Sequence, residues 1–296
     1  MYEWFGFLFA IIWASGAIAT KIGLLSSSPL LFATIRLFLA GGLLFLFTYV
    51  IRSYPWPKRD DWKALVILGV LNTTLYVGCS FLALYYVSAS LFNLFITVNP
   101  FVVAIFSTIF LKRRIKKNEI IGMTVAATGL FIAMAPSFKT IGGTLFGITV
   151  LGIGMISMAL GSVYFQYEKV ALPHLVINTW QVIIGSVFSL PLLFLFEQTY
   201  MLVFDAYFII SLLWQVIVVS ILGMILWFYL LQWDAVKANH FLFLTPIIGY
   251  FLAFFFLNEK ITFYHLLGAF LVIGGLLLSK HKRTLTISYI AKRSLD

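Results

Sequence analysis

Trp4-Phe-Gly-Phe-Leu-Phe-Ala-Ile-Ile-Trp-Ala-Ser-Gly-Ala-Ile-Ala-Thr-Lys-Ile-Gly23 carries a single charge, Lys21. As a helix rising about 1.5 Å per residue it reaches about 30 Å, the thickness of a bilayer's hydrocarbon core. Nine similar stretches follow, near residues 30–51, 63–84, 90–111, 119–136, 144–165, 175–196, 208–231, 239–257 and 262–280. They are continuously apolar, without the alternation that the wall of a strand barrel requires. Short polar breaks separate them. One is Arg52–Asp61, with prolines 55 and 57; another is Lys112–Lys117. The expectation is an all-α polytopic membrane protein with ten transmembrane helices.

Composition agrees. The chain is 62% hydrophobic and 10% charged over 296 residues, with mean hydropathy +1.05. Soluble domains carry roughly 25% charged residues, so the solvent here is lipid. The formal net charge of +10 is explained by topology and not by nucleic acid. Of the twenty Lys and Arg, Lys21 and Arg36 lie inside spans and Lys139 and Lys260 fall on one side. The remaining sixteen fall on the other side or in the basic tail, residues 281–296. The positive-inside rule then places both termini in the cytoplasm, which requires an even number of crossings. The first stretch lacks a basic leader and a small-residue cleavage site and reads as a retained span. The single cysteine, Cys79, permits neither an internal disulfide nor a cysteine-based metal site.

The second half repeats the first. Lys21 and Arg36 are followed 145 positions later by Gln166 and Gln181, also polar and within apolar stretches. Pro100 matches Pro246 at an offset of 146, and Gly122 and Gly129 match Gly268 and Gly275. Phe81-Leu-Ala-Leu84 resembles Phe228-Tyr-Leu-Leu231 at 147. Compositional likeness between apolar helices does not put prolines, paired glycines and buried polar residues in register. Repeats of 1–137 and 138–280 result. Five spans per repeat invert the second copy, an architecture that suits alternating access around a midplane site. Pro100 and Pro246 are candidate kinks beside that site. The glycines seven apart mark faces that either pack the fifth and tenth spans together or mediate a homodimer.

These features resemble the EamA-type members of the drug/metabolite transporter superfamily. Trp13-Ala-Ser-Gly-Ala-Ile-Ala-Thr-Lys21, Arg36, the prolines of the fourth and ninth spans and Leu257-Asn-Glu259 carry the resemblance, over about residues 4 to 280. The first half departs, with Leu111-Lys-Arg113 where a Glu is usual. The resemblance implies an inner-membrane carrier, often an exporter of small metabolites.

Ionisable and polar groups inside spans are the candidates for function. Lys21 lies within snorkelling reach of the headgroups; Arg36 lies about seven residues, or about 10 Å, deep. With Gln166 and Gln181 they form candidate gate or pathway pairs. Trp13, Ser15, Asn72, Tyr76, Asn93, Tyr164, Trp227 and His240 are candidate substrate contacts, set against helix packing as the alternative for each. All ten acids lie near span ends, in loops or in the tail. A cationic-drug pump or carboxylate proton relay would place one mid-span, so the expected cargo is neutral or zwitterionic, with anions allowed. Neither a Walker A sequence nor His-Glu-x-x-His is present, and no catalytic, metal or cofactor site is expected. The reading is a secondary carrier exporting small, amino-acid-like metabolites across the cell membrane, its partners being a solute and the bilayer, with no nucleic acid. Alternatives are a multidrug exporter, an importer or a channel.

Overall fold

The computed structural model describes residues 2–112, 114–135, 143–168, 170, 172–197, 199–233, 241 and 244–279. His240, Arg113, Lys139 and the basic tail 281–296 lie outside the described residues.

Those residues build an all-helical bundle. Helix α1 is Tyr2–Gly23, α2 Pro29–Ile51, α3 Arg59–Tyr86, α4 Ala89–Phe110 and α5 Lys117–Met134. Then come α6 Gly143–Glu168 and α7 His174–Phe196. Helix α8 runs through Ala206–Leu213, Trp214–Leu222 and Gly223–Trp233. Helices α9, Thr245–Leu257, and α10, Phe263–Ser279, complete the set. Seven helices are long and apolar enough to cross a membrane by length and composition: α1 to α4 and α6 to α8. Helices α9 and α10 are apolar but shorter, and α5 spends its first turn on Lys117 and Glu119.

Lipid is the solvent that the surface implies. Leu39, Leu43, Leu46 and Val50 form an exposed stripe on α2, and Phe251, Phe254 and Phe255 do the same on α9. Inside, Phe32 of α2 is fully buried, with ring centroids 5.2 Å from Phe81 of α3 and 5.5 Å from Phe208 of α8. Helix α1 packs on α8 and α9; α6 packs on α3 and α4; α2 meets α7, α3 and α8; α7 also meets α3; α4 meets α9; and α5 pairs with α10.

The α5–α10 contact rests on the paired glycines. A Cβ at Gly129 would lie 2.8 Å from the Gly268 carbonyl oxygen, one at Gly268 would lie 2.6 Å from the Gly129 oxygen, and Gly275 abuts the Gly122 carbonyl. Only hydrogen in place of a side chain lets the two backbones approach this closely. Of the two roles expected for these faces, packing within the chain is the one the structure uses.

The prolines act differently from the expectation of a lost mid-helix hydrogen bond. Helix α4 breaks at Thr97–Val98, and Pro100 sits in the first turn of the Asn99–Phe110 segment; Pro246 sits in the first turn of α9. First-turn N–H groups have no intrahelical acceptor, so proline there forfeits nothing and its fixed φ suits the start of a helix. Wider π turns interrupt α2 at Leu46–Ile51, α3 at Gly69–Leu75 and α8 at Trp214–Leu222. Lys112 and Asn258 end α4 and α9 with left-handed backbone, φ 53 and 52°. Asn tolerates this geometry, whereas Lys is strained in it.

Candidate functional site

The polar groups inside the bundle fall into three groups: a pair of contacts linking α2 and α7 to helices of the other half, two seams that join helices, and a latch at one end.

The pair comes from Arg36 and Gln181. Asn72 Nδ2, within the π turns of α3, donates to Gln181 Oε1 of α7 at 3.0 Å. Arg36 Nη2 of α2 donates to Ser220 Oγ, within the π turns of α8, at 3.3 Å. A π turn widens the helix and frees backbone and side-chain groups from the regular ladder. Ser220 uses that freedom to donate to the Gln215 carbonyl five residues back, at 2.9 Å. The two contacts differ in charge. Asn72 and Gln181 are neutral amides joined by this one bond, and Asn72 Oδ1 is pressed against Gly161 of α6, buried without a hydrogen-bond partner. Arg36 has the Phe81 ring 5.4 Å from its Cζ and Tyr76 beside it, while its Nε is buried without a hydrogen-bond partner.

The seams hold the other candidates. Trp214 Nε1 donates to Ser15 Oγ at 2.9 Å, and Ser15 in turn donates to the Ile12 carbonyl. Fully buried Gln215 donates to Thr20 Oγ1 at 2.7 Å and to the Gly16 carbonyl at 2.5 Å. These bonds join α1 to α8. Asn93, fully buried on α4, donates to the Ala14 carbonyl at 3.3 Å and fills the space left by Gly249 of α9. Ser15, Asn72 and Asn93 are thus engaged between helices. Trp13 stacks near Phe9, centroids 5.7 Å apart, in a small apolar cluster with Leu226 and Leu230. Tyr164 packs at the far end with Leu65, Trp62 and Trp180. Gln166 is exposed near the end of α6. The Trp227 backbone belongs to α8, but its side chain lies outside the described residues, as does all of His240.

The latch gathers the ends of α1, α3, α7 and α9. Residues 26–30 run against 197 and 199–205: Ser28 N donates to the Met201 carbonyl at 2.9 Å and Val203 N to the Ser26 carbonyl at 2.7 Å. Ser27 and Leu202 form an antiparallel bridge. Ser26 Oγ donates to Asp205 at 2.6 Å, and Leu30 N donates to Glu197 at 2.7 Å. Glu259, just past α9, accepts from Ala89 N at 2.7 Å, Ser90 N at 3.1 Å and Ser90 Oγ at 2.6 Å. Carboxylates suit these places because the first N–H groups of a helix lack partners and carry partial positive charge. Lys21 lies in the electrostatic field of Glu259. Hydrogen bonds from Ser26 and the Phe208 N–H hold the Asp205 carboxyl below its ordinary range, whereas burial pushes Glu197 above its own.

Sequence reasoning did not single out Gln215, Glu197 or Asp205. Gln215 carried a readable signal, an amide inside an apolar run. The acids carried none, because a capping role depends on which helix start folds against them. Among the described residues no group of His, Cys, Asp or Glu gathers to hold a metal ion.

A bundle of long lipid-facing helices with polar contacts running between its halves defines a multi-pass membrane protein of the transporter class. The chain belongs to the EamA-like transporter family, which it matches twice, over residues 1–135 and 145–280. It is 31% identical over 275 residues to "Uncharacterized transporter YvbV" of Bacillus subtilis (strain 168), covering 92% of this chain and 89% of that one. It is 24% identical to "Protein PecM" of Dickeya dadantii (strain 3937), covering 93% and 90%. A solved structure described as "Crystal structure of protein" shares the fold at TM-score 0.65 and 15% identity, over 94% and 96% of the two chains. Family and relatives point to a membrane transporter rather than an enzyme.

Proposed function

We propose that the chain is a secondary carrier of ten spans in two inverted repeats, exporting small neutral or zwitterionic metabolites across the cell membrane by alternating access. Both termini lie in the cytoplasm in this reading, and the latched end faces outward, closed.

The carrying observation is the exchange symmetry of the contacts. Replacing each helix by the one five places on turns the α1–α9 contact into α6–α4, α1–α8 into α6–α3 and α2–α8 into α7–α3, all of which are present; α2–α7, α4–α9 and α5–α10 map onto themselves, whereas α2–α3 has no comparable counterpart between α7 and α8. Local features recur with it: the π turns of α3 and α8, the first-turn prolines, the left-handed ends at Lys112 and Asn258, and the pair Arg36–Ser220 and Gln181–Asn72. Two similar halves that exchange conformations around their shared interface are the elements alternating access needs. The latch joins residues of the first half to residues of the second, so outward opening must break it. The absence of mid-span acids supports neutral or zwitterionic cargo over cationic drugs.

The test compares metabolites in cells and medium for strains that overproduce or lack the protein. Solutes that shift then enter proteoliposome flux measurements, where a carrier shows saturation and acceleration by solute on the opposite side. No shifted solute between the strains overturns the export reading; unsaturable flux without acceleration indicates a channel.

A further inference from the structure

We propose that Arg36 is the docking point for a carboxylate on the transported solute, so that the cargo is a small monocarboxylate or a zwitterion with a free carboxylate. The proposal rests on the carrier reading and narrows its substrate class.

The guanidinium lies where both halves meet, reached from α2 and bounded by Phe81 and Tyr76 of α3 and Ser220 of α8. Seven residues separate it from Pro29, placing it about 10 Å along α2 from the latched end. A charge at such depth is costly unless paired, and buried charges in proteins are paired as a rule. Arg36 has five N–H donors. One makes a long bond to a neutral hydroxyl, and Nε makes none. A ring face offers weak compensation.

Among the described residues, the chain's own acids are committed elsewhere. Glu197 and Glu259 cap helix starts at the latch and Asp205 holds Ser26 and the start of α8; Glu3, Asp60, Asp61 and Glu119 lie in the first turns of α1, α3 and α5 and Glu168 at the end of α6, while Asp234 and Asp296 lie outside the described residues. The position related by the repeat sharpens the point. Gln181 is neutral there, and its Oε1 accepts from Asn72 Nδ2. Arg36 keeps a full charge and open donors in the equivalent place, so the missing anion belongs to something that arrives. The planar fork matches a carboxylate through two parallel bonds. Phe81 and Tyr76 beside it suit an apolar body on the same solute.

The experiment reads binding apart from transport. Purified full-length wild type, R36K, R36Q and R36M are melted in neutral detergent with sodium acetate, butyrate and phenylacetate, with the matched amides, with L-leucine and leucinamide, and with sodium chloride and phosphatidylglycerol at equal ionic strength. At near-saturating ligand at least one carboxylate raises the wild-type Tm by about 3 to 6 °C while its amide does not. R36K keeps part of this shift, and R36Q and R36M lose it. Without ligand, R36M melts at or above wild type, because an uncompensated buried charge has been removed. The proposal is overturned if acids and amides act alike, if the shift survives in R36M, or if chloride or the lipid alone reproduces it. It is also overturned if R36M and R36Q fail to fold or melt well below wild type, since Arg36 is then structural. A solute exported by the strains without any carboxylate preference leaves the carrier reading standing and removes this one.

Discussion

Glu259→Gln is the sharpest probe of the latch. Glu259 accepts three hydrogen bonds, two from backbone N–H groups of the first turn of α4 and one from Ser90 Oγ, at 2.7, 3.1 and 2.6 Å. Bonds to a charged acceptor contribute about 1.5–3 kcal/mol each when buried, roughly twice a neutral bond. Glutamine retains one oxygen, loses the charge and turns an NH2 toward a donor, so one bond disappears and the others weaken. Because Glu259 is half-buried and water competes, the lower end applies, giving a loss of about 2 kcal/mol including the helix dipole. At 1.4 kcal/mol per decade that is about a 30-fold shift toward the unlatched state. The assay places a reporter Ser27→Cys in a Cys79→Ser background. Ser27 is fully buried in the latch, so its rate of labelling by a membrane-impermeant maleimide measures opening. E259Q should raise the rate 10- to 30-fold, E259D less, and E3Q, in the first turn of α1, not at all. An unchanged rate in E259Q refutes the argument that the carboxylate holds this end shut.

Gly129→Val and Gly268→Val drive a side chain into the facing backbone, so each should lower Tm by about the equivalent of 2–3 kcal/mol, while Gly274→Val, with open space around it, should not; thermal unfolding in detergent separates them. Thr20→Val strands Gln215 of one acceptor and should cost about 1–2 kcal/mol, whereas the double change Thr20→Val with Gln215→Leu removes both partners and should recover most of that in the same measurement. Asp205 titrates below its ordinary value near 3.8, so its stabilisation is complete above that value and is lost as pH falls through the lower native one. D205N should therefore flatten the acid limb of a Tm–pH curve. Glu197, raised above 4.5, has the opposite sign: its stabilisation fades as pH rises through the raised value, and E197Q should remove that decline.

The apolar stretches made the helices legible, and residue types at the 145 to 147 offsets made the repeat legible. What a stretch of sequence does not carry is the partner. Asn72 and Asn93 read equally as cavity or packing, and only the glycines opposite them, Gly161 and Gly249, show the amides turned onto neighbouring helices. Pro100 reads as a kink that breaks a hydrogen bond, because the break at Thr97–Val98 that makes it a first-turn residue has no sequence marker. Gln166 shares its register with Lys21, and each lies two residues before the end of its helix, yet Gln166 is exposed where Lys21 is half-buried. Register survives the repeat; environment does not.

Once Glu197 and Glu259 are seen capping helix starts, the sequence acquires a meaning it did not have alone. Their counterparts in the first repeat, at offsets of 145 and 146, are Arg52 and Arg113. Two rules conflict at those positions. The helix dipole favours an acid at the start of a helix, and the cytoplasmic side favours Lys and Arg. On the proposed topology the outer copy obeys the first rule and the inner copy the second. An arginine cannot accept a hydrogen bond from an N–H group, so Arg52 and Arg113 cannot cap a helix start as Glu197 and Glu259 do. On that proposed topology the two halves would differ in gate energy, and the proposed inverted repeat would lean toward its outward-closed state before any solute binds. Exchanging the charges alone, with E259R and E197R together, should reverse that lean, read as faster labelling at Ser27→Cys than either single change gives. Equal rates in the double and single variants would mean that the carboxylates do not act on one common opening.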